Sequence, residues 1–311
     1  GAGGTLAQLF MLNPIFGGVS VAKYGTAAMK EDLLPKIAAG QIHCCMALTE
    51  PDSGSNSLDV RTFAHADGNG WRLNGRKIWI SAVPQAHKML VVARTQKPEE
   101  ADKRSRGISM FLIDVDREGV THQTIDKAGT RCVPASSVFF EDAAVHGDEL
   151  VGTLDGGWHE LLDVLNTERI VTTAGLVGAV HLALHLAVDY ANQRTVFGER
   201  PISSYQGLQF PLAQAKAEIE CARALNHQAA AAFDAGEAYG SAANMAKLIA
   251  AQAAAEGIER AMQTMGGMGY AKEMHVERLW RDARLFRFAP VSEEMILNFI
   301  ATHELGMARG Y

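Results

Sequence analysis

Glu168 stands in Leu165-Asn166-Thr167-Glu168-Arg169, near the start of a long stretch with helical apolar spacing. On pattern alone it reads as a water-exposed carboxylate in a first helical turn, favoured there by the helix dipole. Kept away from water, the same group would bind its proton more tightly and could act as a base near neutral pH. Two further runs could also do chemistry. Thr49-Glu50-Pro51-Asp52-Ser53-Gly54-Ser55-Asn56-Ser57 has the composition of an ordinary polar turn, and its hydroxyls and pliable backbone could equally wrap the oxygens of a phosphate or cofactor. Gly266-Gly267-Met268-Gly269 reads as a helix stop followed by a turn, and its bare backbone permits, without requiring, cofactor contact.

Other signatures fail. There is no Gly-x-Gly-x-x-Gly after a strand and no phosphate loop ending in Gly-Lys-Ser/Thr, so neither a Rossmann site nor a nucleoside triphosphate site is indicated. His159-Glu160-Leu161-Leu162-Asp163 has Asp where a zinc-protease helix needs its second His, and His303-Glu304 meets Met307 at that place. The remaining helical pair, His181 and His185, reads as packed core rather than a metal site, and no metal is expected.

The elements that must position these residues follow from periodicity. Residues 1–40 read as helical, with Leu6, Leu9 and Phe10 at helical spacing and Lys30-Glu31-Asp32-Leu33-Leu34 running to a stop at Gly40. Residues 41–150 read as a β domain. Trp71-Arg72-Leu73 and Lys77-Ile78-Trp79-Ile80 suggest a hairpin turning at Asn74-Gly75, and Met89–Ala93, Ile108–Ile113 and Val138–Phe140 supply further strands. Residues 151–311 read as a helical bundle, with segments Trp158–Arg194, Gln209–Ala235 and Ser241–Met265 and a last helix after Pro290. The run Ala229–Ala232 indicates close helix packing.

Composition bounds the rest. The 311 residues suffice for two or three domains, and a formal charge of −6 offers no basic field for nucleic acid. The apolar stretch Ile170–Val188 contains Thr172, Thr173, His181 and His185, which favours a bundle helix over a membrane span, so no membrane partner is expected. The start carries no signal-peptide pattern and no initiating Met, as a fragment would lack. Cys44, Cys45, Cys132 and Cys221 show no Cys-x-x-Cys spacing and read as reduced, mostly buried thiols of an intracellular protein.

Joint order and spacing add what single motifs lack. The Thr49-Glu50-Pro51 segment, Asn74-Gly75 with Lys77-Ile78-Trp79-Ile80-Ser81, Arg131-Cys132-Val133 before Val138-Phe139-Phe140-Glu141-Asp142, Arg194-Thr195-Val196-Phe197-Gly198, Gln263-Thr264-Met265-Gly266-Gly267 and Arg281-Asp282-Ala283 together resemble successive landmarks of the acyl-CoA dehydrogenase family. The resemblance covers nearly the whole chain. It implies an α+β multidomain fold: a truncated N-terminal helical segment, a middle antiparallel β-barrel-like domain and a C-terminal four-helix bundle. It also implies FAD, an acyl-CoA or acyl-carrier-protein thioester substrate, electron-transfer flavoprotein as partner, and a homotetramer or homodimer. The compartment would be cytoplasmic, or the mitochondrial matrix in a eukaryote.

Carried over residue by residue, the resemblance places Thr49, Ser55, Trp79, Ser81 and Ser292 on the flavin, with Ser81 where Thr is commoner. Arg194, Phe197, Gln206, Gln263, Gly266 and Gly267 map to the adenine end of a neighbouring subunit's cofactor, Gln206 through a one-residue insertion. Most of the family keeps its catalytic Glu before the last helix, where this chain has Pro290 in Phe288-Ala289-Pro290-Val291-Ser292. Isovaleryl-CoA and long-chain acyl-CoA dehydrogenases instead carry it in a Glu-Arg pair on the first bundle helix, which Glu168-Arg169 resembles. Glu168 is then the expected base, with Asn166, Arg169 and Ser55 as substrate contacts. Pro290 lacks the N–H that the family offers the thioester oxygen there. That departure leaves two alternatives in view, a flavin monooxygenase or oxidase of the same superfamily, and a non-catalytic partner subunit of a heteromeric dehydrogenase.

Overall fold

The computed structural model describes residues 12–308 and 310, so Leu6, Leu9 and Phe10 lie outside the described residues. By its contacts the chain forms two compact units. Among the described residues, one holds 12–127 together with Arg131–Leu165, and the other holds Ala128–Thr130 and those from Asn166 onward.

In the first unit, a π-helical turn at Asn13–Val19 leads into helices α1 (Ser20–Tyr24) and α2 (Ala27–Ala38). Thr26 caps α2 by accepting the N–H of Met29, and Gly40 takes the positive φ that ends it. Eight strands follow: β1 (Cys44–Ala47), β2 (Phe63–Asp67), β3 (Gly70–Ser81), β4 (Lys88–Arg94), β5 (Ile108–Asp114), β6 (Val120–Ile125), β7 (Ala135–Val145) and β8 (Leu150–Val151). They form one sheet in the order β6-β7-β3-β2-β4-β5-β8, with β1 also on β4. Most pairs are antiparallel, while β1 and β2 run parallel to β4, which makes the sheet mixed. Along β4 and β5 the side chains alternate between two cores. Met89, Val91, Phe111 and Ile113 join residues of β2, β3 and β7 on one face. Leu90, Val92, Met110 and Leu112 join α1, α2 and Leu161 on the other. Burial on both faces is why these two strands read as continuous apolar runs.

The hairpin is displaced from its expected turn. β3 runs unbroken through Asn74-Gly75, and the chain reverses at Gly68-Asn69 instead, where Gly68 has φ +57°. Gly75 serves a β-bulge with φ +149°, and a Cβ there would stand 2.6 Å from Thr62 Oγ1. The glycine answers close backbone approach rather than a turn.

The helical unit contains most of α3 (Gly157–Gln193), then α4 (Gln206–Asp234), α5 (Gly240–Met265), α6 (Val276–Arg284) and α7 (Glu293–Phe299). Leu176, Val180 and Leu184 of α3, Leu212 and Ile219 of α4, Ala254 and Ile258 of α5 and Leu279 of α6 share one core. α3 is the one described helix long and apolar enough to cross a membrane, and its apolar stripe lies in this core. Small residues bring α4 and α5 close: a Cβ on Gly257 would lie 2.9 Å from that of Ala215. Helix α6, unmarked in the sequence reading, explains the Arg281-Asp282-Ala283 landmark. Asp282 accepts the Thr130 N–H at 2.5 Å, and Arg281 donates to the Ala128 carbonyl at 2.9 Å.

Two expectations about side chains change. His181 and His185 are not packed in the core; they lie on the outer flank of α3, paired with Glu220 and Asp189 respectively. Cys44 and Cys45 are buried, but Cys132 and Cys221 are exposed, one in a loop and one on the outer face of α4.

Candidate active site

Glu168 sits well inside α3, which begins at Gly157, so the dipole of a helix start is not what places it. The residue is 8% exposed. Its Oε2 has no hydrogen-bond partner among the described residues. Burial pushes its proton affinity up to about 7, against the opposing pull of Arg169 and Lys247. A carboxyl group in that state is half-ionised near neutral pH, which suits it to accept a proton and later release it.

The neighbours of Glu168 are buried and polar. Arg169 donates to Asn166 Oδ1, its Nε has no partner among the described residues, and burial lowers its proton affinity. The Thr167 and Tyr239 hydroxyls are 3.0 Å apart, and Thr173 Oγ1 donates to the Arg169 carbonyl at 2.8 Å. On α5, Lys247 is fully buried and donates to the carbonyls of Phe286 at 2.6 Å and Val291 at 2.8 Å. Burial lowers its proton affinity to about 8, with Glu293, Glu168 and Glu294 acting in the opposite sense. The loop it grips contains a cis Ala289–Pro290 bond and Val291 at φ +66°. Beyond the loop, Ser292 caps α7 by accepting the Met295 N–H, and Glu293 receives a two-pronged ion pair from Arg287.

In the first unit, the Thr49–Ser57 run is fastened to β3 by a buried ion pair. Lys77 Nζ donates to Glu50 Oε1 at 2.8 Å and to the Leu48 carbonyl at 2.9 Å. Glu50 also accepts the N–H groups of Arg61 at 2.6 Å and Thr62 at 2.9 Å. The Thr49 carbonyl accepts the Ile78 N–H at 2.9 Å, and β3 then slips register against β7 between Lys77 and Ile80. That bulge turns Trp79 outward with φ +61° and leaves it 54% exposed. Ser55 is exposed, Thr49 and Ser81 are half-buried, and the buried Ser136 Oγ, on the strand paired with Ile80, has no partner among the described residues. An exposed indole among several hydroxyls suits a flat heteroaromatic ring with polar edges, which is the chemistry of a flavin.

The remaining sequence-marked residues are open to solvent. A short loop bridged between Thr195 and Pro201 displays Phe197, 98% exposed at φ +51°, with Arg194 exposed at its base. Gln206 opens α4, Gln263 lies on the outer side of α5, and a Cβ on Gly266 or Gly267 would meet nothing within 4 Å. An exposed guanidinium, phenyl ring, amide and bare backbone fit the pyrophosphate and adenine portions of a dinucleotide. Among the described residues no group of three or more His, Cys, Asp or Glu could hold a metal ion.

Sequence reasoning overlooked Lys77, Glu50 as an anchor, Tyr239 and Lys247. Lys247 alone left a signal: it shares the helical stripe of Ala243, Ala250 and Ala254, all fully buried.

Comparison with known proteins bears on these residues. Residues 45–143 match the acyl-CoA dehydrogenase middle domain, and residues 155–305 match the acyl-CoA dehydrogenase C-terminal domain. The acyl-CoA dehydrogenase FadE12 of Mycobacterium tuberculosis is 39% identical over all of this chain and 79% of its own length. The structure of a glutaryl-coenzyme A dehydrogenase bound to glutaryl-CoA superposes with a TM-score of 0.92 at 30% identity, over 98% of this chain and 76% of that one. A Mycobacterium smegmatis glutaryl-CoA dehydrogenase in complex with FADH2 gives a TM-score of 0.90 at 28% identity, over 98% and 76% of the two chains.

Proposed function

Because the chain belongs to the acyl-CoA dehydrogenase family, we propose that it is an FAD-dependent dehydrogenase of acyl thioesters in which Glu168 is the base. The observation that carries this reading is the buried, partnerless Oε2 of Glu168, whose proton affinity lies near neutrality. FAD supplies the acceptor for the hydride that leaves the substrate's β-carbon.

The chain's own residues do the rest. Glu168, ionised, takes the proton from the α-carbon onto its carboxylate. Burial keeps water from competing for that proton, and Arg169 and Lys247 keep the group able to ionise near neutral pH. Arg169 and Asn166, hydrogen-bonded to each other on the same helix, contact the substrate. Thr49, Ser55, Trp79 and Ser81 hold the flavin, and Glu50 with Lys77 keeps their two segments in register. Arg194, Phe197, Gln206, Gln263, Gly266 and Gly267 receive the adenine end of a cofactor bound mainly by another copy in a homotetramer or homodimer. Electrons then pass to an electron-transfer flavoprotein.

The test is the Glu168→Gln protein, purified with its flavin. It should stay yellow and bind acyl-CoA, yet fail to bleach when substrate is added. Bleaching at the parent rate would remove Glu168 from the base's role. A second reading, an oxidase of the same superfamily, is favoured by Pro290, which offers no N–H to a thioester oxygen. Acyl-CoA-dependent oxygen consumption without another electron acceptor would select it.

A further inference from the structure

Lys247 is fully buried, its two named acceptors are main-chain carbonyls, and no assigned role accounts for it. Burying an ammonium group is costly unless it is held by acceptors or an opposite charge, so its placement needs an explanation. The two carbonyls it grips, those of Phe286 and Val291, flank the Ala289–Pro290 turn. The same ammonium is one of two cations that lower the proton affinity of Glu168.

From these contacts we infer that Lys247 is a positioning residue: two hydrogen bonds from its buried ammonium clamp the 286–291 loop, which carries Pro290, to α5. The inference deepens the proposed dehydrogenase reading and rests on it only where the Glu168 titration is followed through catalysis. The clamp accounts for the loop's conformation. Val291 holds φ +66°, a region a β-branched residue rarely occupies, and its carbonyl is turned onto the lysine. The charged groups facing Lys247 are Glu168 and Arg169 from α3 and Glu293 and Glu294 from α7. Arg287 already engages Glu293 in an ion pair. Arg169 also faces Glu168, but it is coupled to Asn166 and to Tyr239, so the lysine's contribution can be removed separately.

The experiment uses the flavin-loaded protein and the variant Lys247→Met, which keeps the length and loses the charge. Hydrogen exchange read by mass spectrometry should show residues 286–292 exchanging at least tenfold faster, while the core of α5 stays protected. The titration of Glu168 should also move up, since the lysine is one of the two cations that favour its ionised form. Two readouts follow it: the acid limb of kcat/KM, and the pH-dependent difference in thermal stability between each protein and its Glu168→Gln counterpart. The second needs no turnover, so it still tests Lys247 if Glu168 is not the base. Unchanged exchange at 286–292 would overturn the clamp, and an unshifted stability difference would confine the lysine to it. Should Lys247→Met not fold, Lys247→Leu, which also lacks both donor and charge, takes its place, and the same two outcomes decide. Lys247→Arg should restore the titration while leaving the loop loosened, a pattern that a purely space-filling role would not produce.

Discussion

Two lysines, one in each unit, are fully buried, and burial brings the proton affinity of both down to about 8. Their carboxylate neighbours fare differently. Lys77 touches Glu50 directly, and two backbone N–H groups complete the shell. Burial alone would raise the proton affinity of Glu50, but those contacts outweigh it and hold the group below the usual carboxylate range. Lys247 gives its hydrogen bonds to two carbonyls and acts on Glu168 only at longer range, so burial wins there and Glu168 rises to about 7. The same ingredients make an anchor when carboxylate and ammonium meet and a titratable base when they are held apart. Direct contact decides between structure and chemistry.

The largest effect should come from breaking the anchor. Lys77→Met leaves Glu50 buried without its cation and should destabilise the protein by about 3–5 kcal/mol, as loss of one partner of a buried ion pair does. Chemical denaturation of the parent and variant checks this. A loss near zero would mean that the two backbone donors suffice to hold Glu50 and that direct contact with Lys77 is not what anchors it.

Glu168 should respond in the opposite sense. Its folded-state pKa is raised, so the protonated form's stability is fully present below the ordinary value of 4.5 and is lost as pH rises through about 7. At roughly 1.4 kcal/mol per pH unit, ionisation costs the folded protein about 3 kcal/mol by pH 8. Glu168→Gln, which cannot ionise, should therefore be more stable than the parent by up to about 3 kcal/mol at pH 8 and equal to it at pH 4. Thermal melts across that range read the difference. A gain that does not vary with pH would show that packing, not charge, was relieved.

Much of this contrast was written in the sequence, but unevenly. Strands β4 and β5 were legible because burial on both faces makes them uninterrupted apolar runs. β6, reading Val-Thr-His-Gln-Thr-Ile, is an edge strand whose exposed residues leave no such run, and β1 is only four residues long. Asn74-Gly75 carried the composition of a turn, yet the glycine is set by Thr62 on another segment, which no local pattern reveals. Glu168 was marked only through a family resemblance, because burial of a helix residue depends on what packs over it. The role of Glu50 was hidden for the same reason: its cation lies on β3, in another part of the sequence.

Gly75→Ala disturbs the anchor from the glycine that packs against Thr62. A methyl group there would crowd Thr62 Oγ1 and force a side chain into φ +149°, disturbing the residue whose N–H reaches Glu50. Overpacking of this kind costs about 1–3 kcal/mol. The variant should also raise the proton affinity of Glu50, so its stability deficit should grow as pH rises through the carboxylate range and stay constant above it. A deficit independent of pH would indicate steric cost alone.

The smallest effect is the one that separates charge from mere polarity beside Glu168. Tyr239→Phe removes a buried hydroxyl 3.0 Å from that of Thr167, and a lost hydrogen bond of this kind costs about 1 kcal/mol. The phenol interacts with Arg169, whereas Arg169 and Lys247 are the groups that pull on Glu168. The variant should thus melt slightly earlier while the pH at which Glu168 ionises stays put, as read from the pH dependence of its stability difference against Glu168→Gln. If the titration moved with the hydroxyl, neutral hydrogen bonds relayed through Arg169 would be setting the base's proton affinity. The separation between an anchor made by contact and a base made by distance would then fail on the helical side.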